Sequence, residues 1–324
     1  MSYDIVTFGE TMIRLTPPGL NRLETADTLE LHVGGSESNT AIGLARLGCR
    51  VAWLSRLTNN PLGKLIAGKI AEHGVDVSHV VWTDADRVGT YYLERGSLPR
   101  TTQVIYDRQN SAVSRMVPAE LPSSLFRDHQ AKVFHTTGIT LGISATAANT
   151  AIAAARMAKT LGWMISFDLN YRSKLWSAKD CRDGCGELIR MADFVFMPIR
   201  DARTIFEIEH DSPEEVSRSL AQLFPQATIV LTLGSQGSCA RLLAGDYLQQ
   251  PGFPLVEVDR LGGGDAFSAG FLYAFLESHP YNDCLKWGNA VAALKYSIPG
   301  DLPIIDRSQV LAMLSGDQRQ GIVR

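Results

Sequence analysis

The 324-residue sequence predicts an α/β fold, a doubly wound, mainly parallel sheet with helices on both faces and a small β-sheet lid. Along most of the chain, apolar strand-like runs alternate with helix-like runs, which is typical of parallel strands joined by right-handed crossovers. Two glycine-rich turns, near residues 34 and 262, each lead into a helix-like segment. Four further segments alternate apolar with polar residues and predict strands that have one solvated face.

The main body begins with an apolar strand over 3–10, which ends near Gly9 as first strands of buried parallel sheets often do. Apolar runs predict the later strands at 50–55, 77–82, 133–136, 163–168, 193–197 and 227–233, with an antiparallel edge at 237–243 and 246–249. Helical spacing and terminal residues predict helices at 40–48, 62–73, 144–161, after Pro213, 264–276 and 282–297.

The four alternating segments form the predicted lid, because their pattern differs from the continuous apolar runs of the main body. They lie at 12–16, 29–33, 89–95 and 101–107. The lid is thus inserted at two places in the chain. This assigns residues 12–33 and 88–108 to the lid and residues 1–11, 34–87 and 109–324 to the α/β domain.

The composition excludes several kinds of partner. Lys and Arg number 31 against 34 Asp and Glu, a formal charge of −3, which provides no basic surface for nucleic acid or anionic lipid. No apolar run approaches the roughly 20 residues that span a bilayer, and the N-terminus lacks the pattern of a signal peptide. We therefore expect a cytoplasmic protein without nucleic-acid or membrane partners. The five cysteines are scattered, and we expect all of them to be thiols.

The stretch 259–271 carries the clearest chemical signal. Gly262, Gly263 and Gly264 run into Asp265, which opens a helix-like segment of small and apolar residues. Backbone amides at a helix start attract anions when side chains do not cover them, so an acid placed there can serve chemistry on a phosphate. The alternative is an ordinary loop in which Asp265 only complements the helix dipole.

Polar clusters also occur at predicted strand ends and loop starts, at 34–39, 167–172 and 233–237. Ligands of open α/β sheets bind at the carboxyl ends of strands, so these clusters and the 259–271 stretch outline one crevice. Arg172 is the most informative side chain among them, because a planar guanidinium binds carboxylate or phosphate through two parallel hydrogen bonds. The alternative for 167–172 is a polar loop with a capping Asp.

The lid carries Tyr91, Tyr106 and Arg108 on its alternating strands. If the lid closes over the crevice, these side chains become substrate contacts. The alternative is that they are ordinary surface residues of a β-sheet, in which aromatic side chains are common.

Several familiar motifs do not occur in the sequence. Gly63-Lys64 lacks the glycine spacing and the following Ser or Thr of a P-loop. The glycines at 262–264 come late in the chain and lack the GxGxxG spacing of a dinucleotide site, which argues against a nicotinamide-dependent oxidoreductase. The seven histidines show no metal-ligand spacing, so we predict no metal ligands among the side chains.

The two glycine–helix stretches and the inserted small sheet resemble the ribokinase (PfkB-type) family of sugar kinases over essentially the whole chain. Residues 34–41 resemble the first family signature, and residues 259–267 resemble the second. The loop 167–176, with Asp-Leu-Asn-Tyr-Arg and a following Leu-Trp, is similar to that of family members that act on 2-keto-3-deoxygluconate. Residues 106–112 and 295–301 also match those members.

The resemblance implies a ribokinase-like fold and a role for individual residues. Asp265 would be the catalytic base, and the amides of Gly262, Gly263 and Gly264 would form an anion hole. The residues implied in substrate binding are Gly34, Gly35, Ser36, Asn39, Tyr91, Tyr106, Arg108, Asn170, Arg172 and Asp265. Those implied in nucleotide binding are Thr232, Gly234, Ser235, Gly237, Gly262, Gly264, Asn289 and Ala292.

The sequence departs from the family pattern at two places. In the second signature, Leu261 and Gly263 replace the usual Thr and Ala, which leaves small-residue amides for anion binding. The magnesium-linked Asn-x-x-Glu motif would fall at 199–202, where neither side chain is present and Asp201 is the candidate for a partial substitute. The implied cofactors are ATP and the Mg²⁺ that travels with it, and a monovalent cation is a further candidate.

We therefore expect ATP-dependent phosphorylation of a primary hydroxyl of a sugar acid, with 2-keto-3-deoxygluconate as the expected substrate and its 6-phosphate as the product. A kinase for a neutral, fructose-like sugar or for a nucleoside is the first alternative. A catalytically silent sugar-binding protein is the second, because the magnesium-linked motif is missing. The exposed edges of the lid predict a homodimer that pairs through it.

Overall fold

The computed structural model describes residues 2–127 and 130–316. The strands in this part of the chain are β1 (Ile5–Phe8), β2 (Met12–Thr16), β3 (Glu30–Gly34), β4 (Val51–Leu54), β5 (Arg56–Thr58), β6 (Val81–Thr83), β7 (Thr90–Glu94), β8 (Gln103–Asp107), β9 (Val133–Thr137), β10 (Met164–Asp168), β11 (Phe194–Pro198), β12 (Thr228–Thr232), β13 (Ser238–Arg241) and β14 (Tyr247–Gln250). The helices are α1 (Ser36–Leu47), α2 (Pro61–Ala71), α3 (Gly138–Gly142), α4 (Ala145–Thr160), α5 (Ala178–Met191), α6 (Ile199–Phe206), α7 (Pro213–Leu223), α8 (Gly263–Leu276), α9 (Tyr281–Tyr296) and α10 (Arg307–Leu314).

The main sheet runs in the order β14-β13-β12-β11-β10-β9-β1-β4. Its strands from β12 to β4 are parallel, and β13 and β14 add an antiparallel edge. This confirms the predicted mainly parallel sheet and its edge. The strand order reverses at β1, whose neighbours β4 and β9 both come later in the chain. Such a reversal opens a crevice at the carboxyl ends of the strands.

Alternating side chains of the strands build two apolar clusters, one on each face of the main sheet. On β1, Val6 and Phe8 belong to the cluster shared with α4 and α5, whereas Ile5 belongs to the cluster shared with α1, α8 and α9. Because helices cover both faces, the strands are apolar on both sides, which explains their continuous hydrophobic runs. No helix of the described residues is both long and apolar enough to cross a bilayer.

The small sheet runs in the order β3-β2-β7-β8 and contains the four segments with alternating patterns, which confirms the predicted small sheet. The proposed domain boundaries around it stay a prediction. The expected solvated face is wrong for β2, because Arg14 on this strand is fully buried. Its guanidinium can be buried there because it lies 2.7 Å from a carboxylate oxygen of Asp301.

Other differences from the prediction occur where burial and sequence pattern disagree. α1 begins at Ser36 rather than at residue 40, so Ser36, Glu37 and Asn39 lie in its first turns, and all three are buried. The predicted strand at 77–82 is extended only at its end, where β6 pairs with β5 in a separate two-stranded sheet. Four helices, α3, α5, α6 and α10, have no counterpart in the prediction.

Candidate active site

The glycine turn at 262–264 leads directly into α8, and its geometry requires glycine. Gly262 has a φ of +73°, and a Cβ atom there would lie 2.0 Å from the carbonyl oxygen of Asp301. A Cβ on Gly263 would lie 2.4 Å from the Tyr296 ring. Gly264 faces open space, and no side chain caps the start of α8. The amide of Gly263 donates to the Arg260 carbonyl at 3.4 Å, so of the predicted anion-hole amides that of Gly264, followed by that of Asp265, is the one uncovered and able to bind an anion.

Asp265 lies in the first turn of α8, and residues from the first glycine turn fix its carboxylate. The Ser36 hydroxyl donates to Oδ1 at 2.6 Å, and the Asn39 side-chain amide donates to Oδ2 at 2.7 Å. These bonds join α1 to α8, which pack against each other. They orient the carboxylate and leave further lone pairs for a ligand.

Asn170 extends this network to the end of β10. Its side-chain amide donates to the Ser36 hydroxyl at 2.7 Å, while its backbone amide donates to the Asp168 carboxylate at 3.0 Å. Asn170 has a φ of +41°, in the left-handed region that Asn tolerates better than most residues. One hydrogen-bonded chain therefore runs from Asp168 through Asn170 and Ser36 to Asp265.

Burial shifts the titration of the acids in this network. It raises the pKa of Asp265, and the hydrogen bonds from Ser36 and Asn39 oppose part of that shift. Burial, assisted by the charge of Asp265, raises the pKa of Asp168 to about 8. A carboxylate whose pKa is raised is a stronger proton acceptor, so this arrangement suits a general base.

Glu37 lies beside this network in the first turn of α1. Burial raises its pKa to about 7, although the hydroxyls of Thr137 and Thr140 donate to its Oε1 at 2.8 and 2.6 Å. Its other oxygen has no hydrogen-bond partner among the described residues. A Cβ on Gly9 would lie 2.1 Å from that oxygen, so Glu37 ties α1 closely to the end of β1.

A cavity of about 640 Å³ opens beside the glycine turn. Its lining includes many of the sequence-predicted site residues: Asn170, Arg172, Thr232, Gly234, Gly262, Gly263, Gly264 and Asp265. It also includes residues to which the prediction gave no binding or catalytic role: Asp168, Phe196, Arg200, Asp201, Arg260, Phe267 and Tyr296, with several apolar neighbours. The cavity therefore brings the predicted base, the uncovered amides and three arginines together.

The predicted substrate residues of the first glycine turn and the small sheet lie outside this cavity lining. Gly34 touches the small sheet, because a Cβ there would lie 2.6 Å from the Tyr91 hydroxyl, and a Cβ on Gly35 would meet the backbone of Glu10 at 2.1 Å. The Tyr91 and Tyr106 rings lie 6.0 Å apart. The first glycine turn thus connects Asp265, through Ser36 and Asn39, with the small sheet, through Gly34.

The two predicted substrate arginines differ in their surroundings. Arg108 lies over the Tyr106 ring and forms an ion pair with the buried Glu10. Arg172 is exposed and lines the cavity, and among the described residues no carboxylate lies within ion-pair distance of it. Its charge nevertheless lowers the pKa of Asp265 and of Asp168, opposing the effect of burial. Arg172 is thus the freer of the two guanidinium groups.

Four predicted nucleotide residues also lie outside the cavity lining. Ser235 is exposed in the short turn after β12, and Gly237 ends that turn with a φ of +95°. The Asn289 side chain donates to the backbone carbonyls of residues 250 and 251, at 3.3 and 3.1 Å, so it fixes the chain after β14. Ala292 is half-buried, one turn further along α9.

The sequence predicted no role for Arg200 or Arg260, and it indicated Asp201 only as a candidate carboxylate at the magnesium-linked segment. α6 begins directly after β11, at the segment where the family's magnesium-linked motif would fall, and this helix start turns Asp201 toward the cavity. The position of the family's motif was the available signal for Asp201, and membership of the 259–271 stretch was the signal for Arg260. Arg200 carried none, because exposed arginines at helix starts are common.

The donor set fits a divalent cation only in part. Burial raises the pKa of Asp168 and of Asp201, and both carboxylates line the cavity. Oxygen ligands of this kind suit Mg²⁺, which keeps several waters and shares its remaining positions with substrate phosphates. Within the described residues there is no group of three or more His, Cys, Asp or Glu that could hold a metal ion alone. The site therefore fits a cation that arrives with a phosphate ligand.

Comparison with known proteins gives consistent matches over the whole chain. The model of the pfkB family of carbohydrate kinases matches residues 2–303. A 2-dehydro-3-deoxygalactonokinase of Haloferax volcanii is 42% identical over 316 residues, which cover 98% of each chain. A 2-dehydro-3-deoxygluconokinase of Bacillus subtilis is 30% identical over 324 residues, covering 98% of this chain and 97% of the relative. The crystal structure of a 2-dehydro-3-deoxygluconokinase from Thermotoga maritima superposes with a TM-score of 0.90 at 26% identity, covering 98% of this chain and 99% of that chain.

Proposed function

Because the chain belongs to the pfkB family of carbohydrate kinases and has its ribokinase-like fold, we propose that it transfers a phosphoryl group from ATP to a primary hydroxyl of a 2-keto-3-deoxy sugar acid. The observation that carries this proposal is the position of Asp265. Its carboxylate is buried, oriented by Ser36 and Asn39, and placed beside uncovered helix amides at the cavity wall.

In the proposed reaction, Asp265 accepts the proton of the sugar hydroxyl while the oxygen of that hydroxyl bonds to the terminal phosphorus of ATP. The bond from that phosphorus to the bridging oxygen breaks, and ADP leaves. The amides of Gly264 and Asp265 donate to the oxygens of the phosphoryl group in transit, where negative charge is spread. Positioning and charge stabilisation, rather than covalent chemistry, supply most of the acceleration in such transfers.

Asp168 and Asp201 are the residues that would hold a magnesium ion brought by ATP. When bound, Mg²⁺ supplies positive charge against the phosphates. The chain's own contribution there is two buried carboxylates, whose pKa values are raised by that burial. The use of a monovalent cation stays a prediction.

Arg172 supports a sugar acid over a neutral sugar. It is the cavity-lining guanidinium without a carboxylate partner among the described residues, and a substrate carboxylate would supply one. The named activities of the relatives point the same way, and they divide between the galactonate and gluconate forms, which differ at one hydroxyl-bearing carbon. The proposal therefore covers both forms of 2-keto-3-deoxy acid.

The direct test is an ADP-release assay on the purified protein with both 2-keto-3-deoxy acids, fructose and a panel of nucleosides. We expect turnover with one or both acids and little with the others. Faster turnover with fructose or a nucleoside would instead support the neutral-sugar or nucleoside kinase. ADP formation with none of them would support the silent sugar-binding protein.

Replacing Arg172 with Ala should raise the KM for the sugar acid by about 10- to 100-fold, because a hydrogen bond to a charged group contributes about 1.5–3 kcal/mol. The KM for fructose, or its dissociation constant by calorimetry if turnover is too slow, should change much less. Arg218→Ala is the matched control, because Arg218 is an exposed arginine on α7 whose partner is Glu214. Equal effects of Arg172→Ala on acid and fructose would contradict the assignment.

We also propose that the small sheet pairs with that of a second copy. Leu31, Leu15, Tyr92 and Ile105 are neighbours in register across β3, β2, β7 and β8, so they form one row on the same face. Leu31 and Ile105, at the two sheet edges, are 45% and 55% exposed. An apolar row that ends at two open edges is a surface that a symmetric partner would cover.

A double variant, Leu31→Glu with Ile105→Glu, should therefore convert a dimer into a monomer in sedimentation or light-scattering measurements. The matched control is Leu223→Glu with Leu243→Glu, two exposed leucines away from the small sheet, which should leave the dimer intact. A wild-type monomer at micromolar concentration would contradict the proposal.

A further inference from the structure

A cluster of buried charged side chains lies next to the two glycine turns, and none of its members lines the cavity. Arg14 and Lys295 are fully buried, Asp301 is 7% exposed, and the Asp259 side chain is 10% exposed. Buried charges are costly unless they are paired, so a cluster of this kind needs a structural or functional reason. The reaction proposed above uses none of these four side chains.

Arg14 contacts two separate segments with one planar group. Its Nε donates to the Thr16 hydroxyl at 2.9 Å, and its Nη1 donates to Asp301 Oδ2 at 2.7 Å. Its Nη2 lies 3.8 Å from Asp259 Oδ2 and has no hydrogen-bond partner among the described residues. A lysine at this position could reach only one of these partners, because its single ammonium lacks the fork of a guanidinium.

The two carboxylates are attached to the backbone around the glycine turn. Asp259 accepts hydrogen bonds from the amides of Leu261 and Gly300, at 3.1 and 2.9 Å. The carbonyl of Asp301 lies against Gly262, where a Cβ would approach it to 2.0 Å. A shift of either aspartate therefore moves the turn that leads to the uncovered amides.

The cluster also contacts the small sheet and the first glycine turn. Arg14 lies on β2, opposite Tyr91 on β7. The Tyr91 hydroxyl and the Asp301 side chain both lie within 3 Å of where a Cβ on Gly34 would be, at 2.6 and 2.9 Å. Lys295 donates to the Ile298 carbonyl at 3.0 Å and so fixes the turn that leads to Asp301.

We propose that Arg14 is a positioning residue for phosphoryl transfer, which fixes the glycine turn relative to the small sheet through Asp301 and Asp259. The proposal rests on the proposed function, because it concerns how the helix amides are oriented toward the phosphoryl group that is transferred. While the small sheet is seated, the ion pairs hold the turn in place. If the sheet moves away, Arg14 leaves with it and the turn loses the ion pairs that fix it relative to the sheet.

The test compares Arg14→Met and Arg14→Lys with wild type at saturating ATP and sugar acid. We expect kcat to fall by about 10- to 100-fold in Arg14→Met, because small misplacements of catalytic groups have effects of this size. The KM values for ATP and the sugar acid should stay within about threefold, since the interaction lost belongs to the transition state. Sugar-independent ATP hydrolysis should rise relative to transfer, because a less closed site admits water. Arg14→Lys should show an intermediate kcat.

Arg56→Met and Arg56→Lys are the matched controls. The Arg56 side chain is 13% exposed and forms ion pairs with Asp86 and Glu120, away from the glycine turn. These variants should lower the melting temperature as the Arg14 variants do, but leave kcat and the hydrolysis ratio near wild type. All rates are compared per folded molecule, as determined by circular dichroism.

The proposal is overturned if the Arg14 variants match the Arg56 variants in kcat and in the hydrolysis ratio. It is also overturned if their loss lies in KM alone. If Arg14→Met does not fold, the comparison of Arg14→Lys with Arg56→Lys tests the proposal by the same two quantities, kcat and the hydrolysis ratio. Failure of the proposed function is a separate result, because wild type itself would then show no transfer to any sugar acid.

Discussion

Replacing Asp265 with Asn should lower kcat by about 10²- to 10⁴-fold, the range that a positioned general base contributes. The amide has nearly the same shape as the carboxylate and can still accept from the Ser36 hydroxyl, but it cannot take the proton of the sugar hydroxyl. The dissociation constants for ATP and the sugar acid should therefore change little. Steady-state kinetics combined with calorimetric binding measures both.

The stability of this variant distinguishes a chemical loss from a folding loss. Burial raises the pKa of Asp265, so its charged form is disfavoured in the folded protein, and a neutral side chain avoids this cost. The loss of the hydrogen bond that Asn39 donates to Asp265 offsets this gain, so we expect a melting temperature close to that of wild type at pH 8. Turnover within about tenfold of wild type would remove Asp265 from the role of general base.

Replacing Gly262 with Ala should reduce both stability and turnover. A non-glycine residue in the left-handed region costs about 1–2 kcal/mol, and here the new methyl group would also meet the Asp301 carbonyl at 2.0 Å. Because that contact lies on the backbone, the turn must shift, and a shift of about 1 Å can lower kcat by about 10²-fold. Denaturant unfolding and kcat at a temperature where the variant is folded measure the two effects.

Two glycine variants serve as controls for this prediction. Gly68→Ala lies inside α2, where the new methyl group meets nothing within 4 Å, so stability should be unchanged or raised by about 0.5–1 kcal/mol with normal turnover. In Gly264→Ala the new methyl group also has no neighbour within 4 Å, so stability should not fall. Because residue 264 lines the cavity, the methyl group would occupy space beside the helix amides, and turnover should fall. If Gly262→Ala behaves like Gly68→Ala, the turn does not depend on a glycine at 262.

The main sheet could be predicted because its signals are local. The apolar runs of β1, β9, β10, β11 and β12 each follow from burial of a parallel strand between helix layers, and no distant partner is needed to recognise them. The helices α5 and α6 were missed because no glycine turn marks their starts and few apolar residues lie within them. α5 begins after Ser177, and α6 follows Pro198 directly.

Within the candidate site, the members that could be predicted belong to contiguous motifs. Ser36, Asn39, Asn170 and Asp265 lie in glycine turns or directly after an apolar strand, and the structure brings all four into one network. Their catalytic and binding roles stay predictions. What the motifs could not indicate is how each side chain is paired with distant parts of the chain.

Arg14 and Arg108 illustrate that limit. The alternating pattern of residues 12–16 predicts that the Arg14 side chain faces solvent. Its burial is possible only because Asp301, 287 residues later in the chain, lies beside it. Arg108 forms its ion pair with Glu10, 98 residues earlier, so its guanidinium is less free than the resemblance implies. Such pairs depend on tertiary contacts that no local pattern encodes.

The hydrogen bond between Ser36 and Asp265 joins residues that are 229 positions apart. During synthesis at about 5–20 residues per second, the first glycine turn would emerge from the ribosome roughly 10 to 45 s before its partner. Over that interval the face of α1 that packs against α8 has no cover, and Ser36 and Asn39 have no carboxylate to orient. A nascent chain therefore leaves this face of α1 exposed until α8 arrives, and its two glycine turns cannot form one site before then.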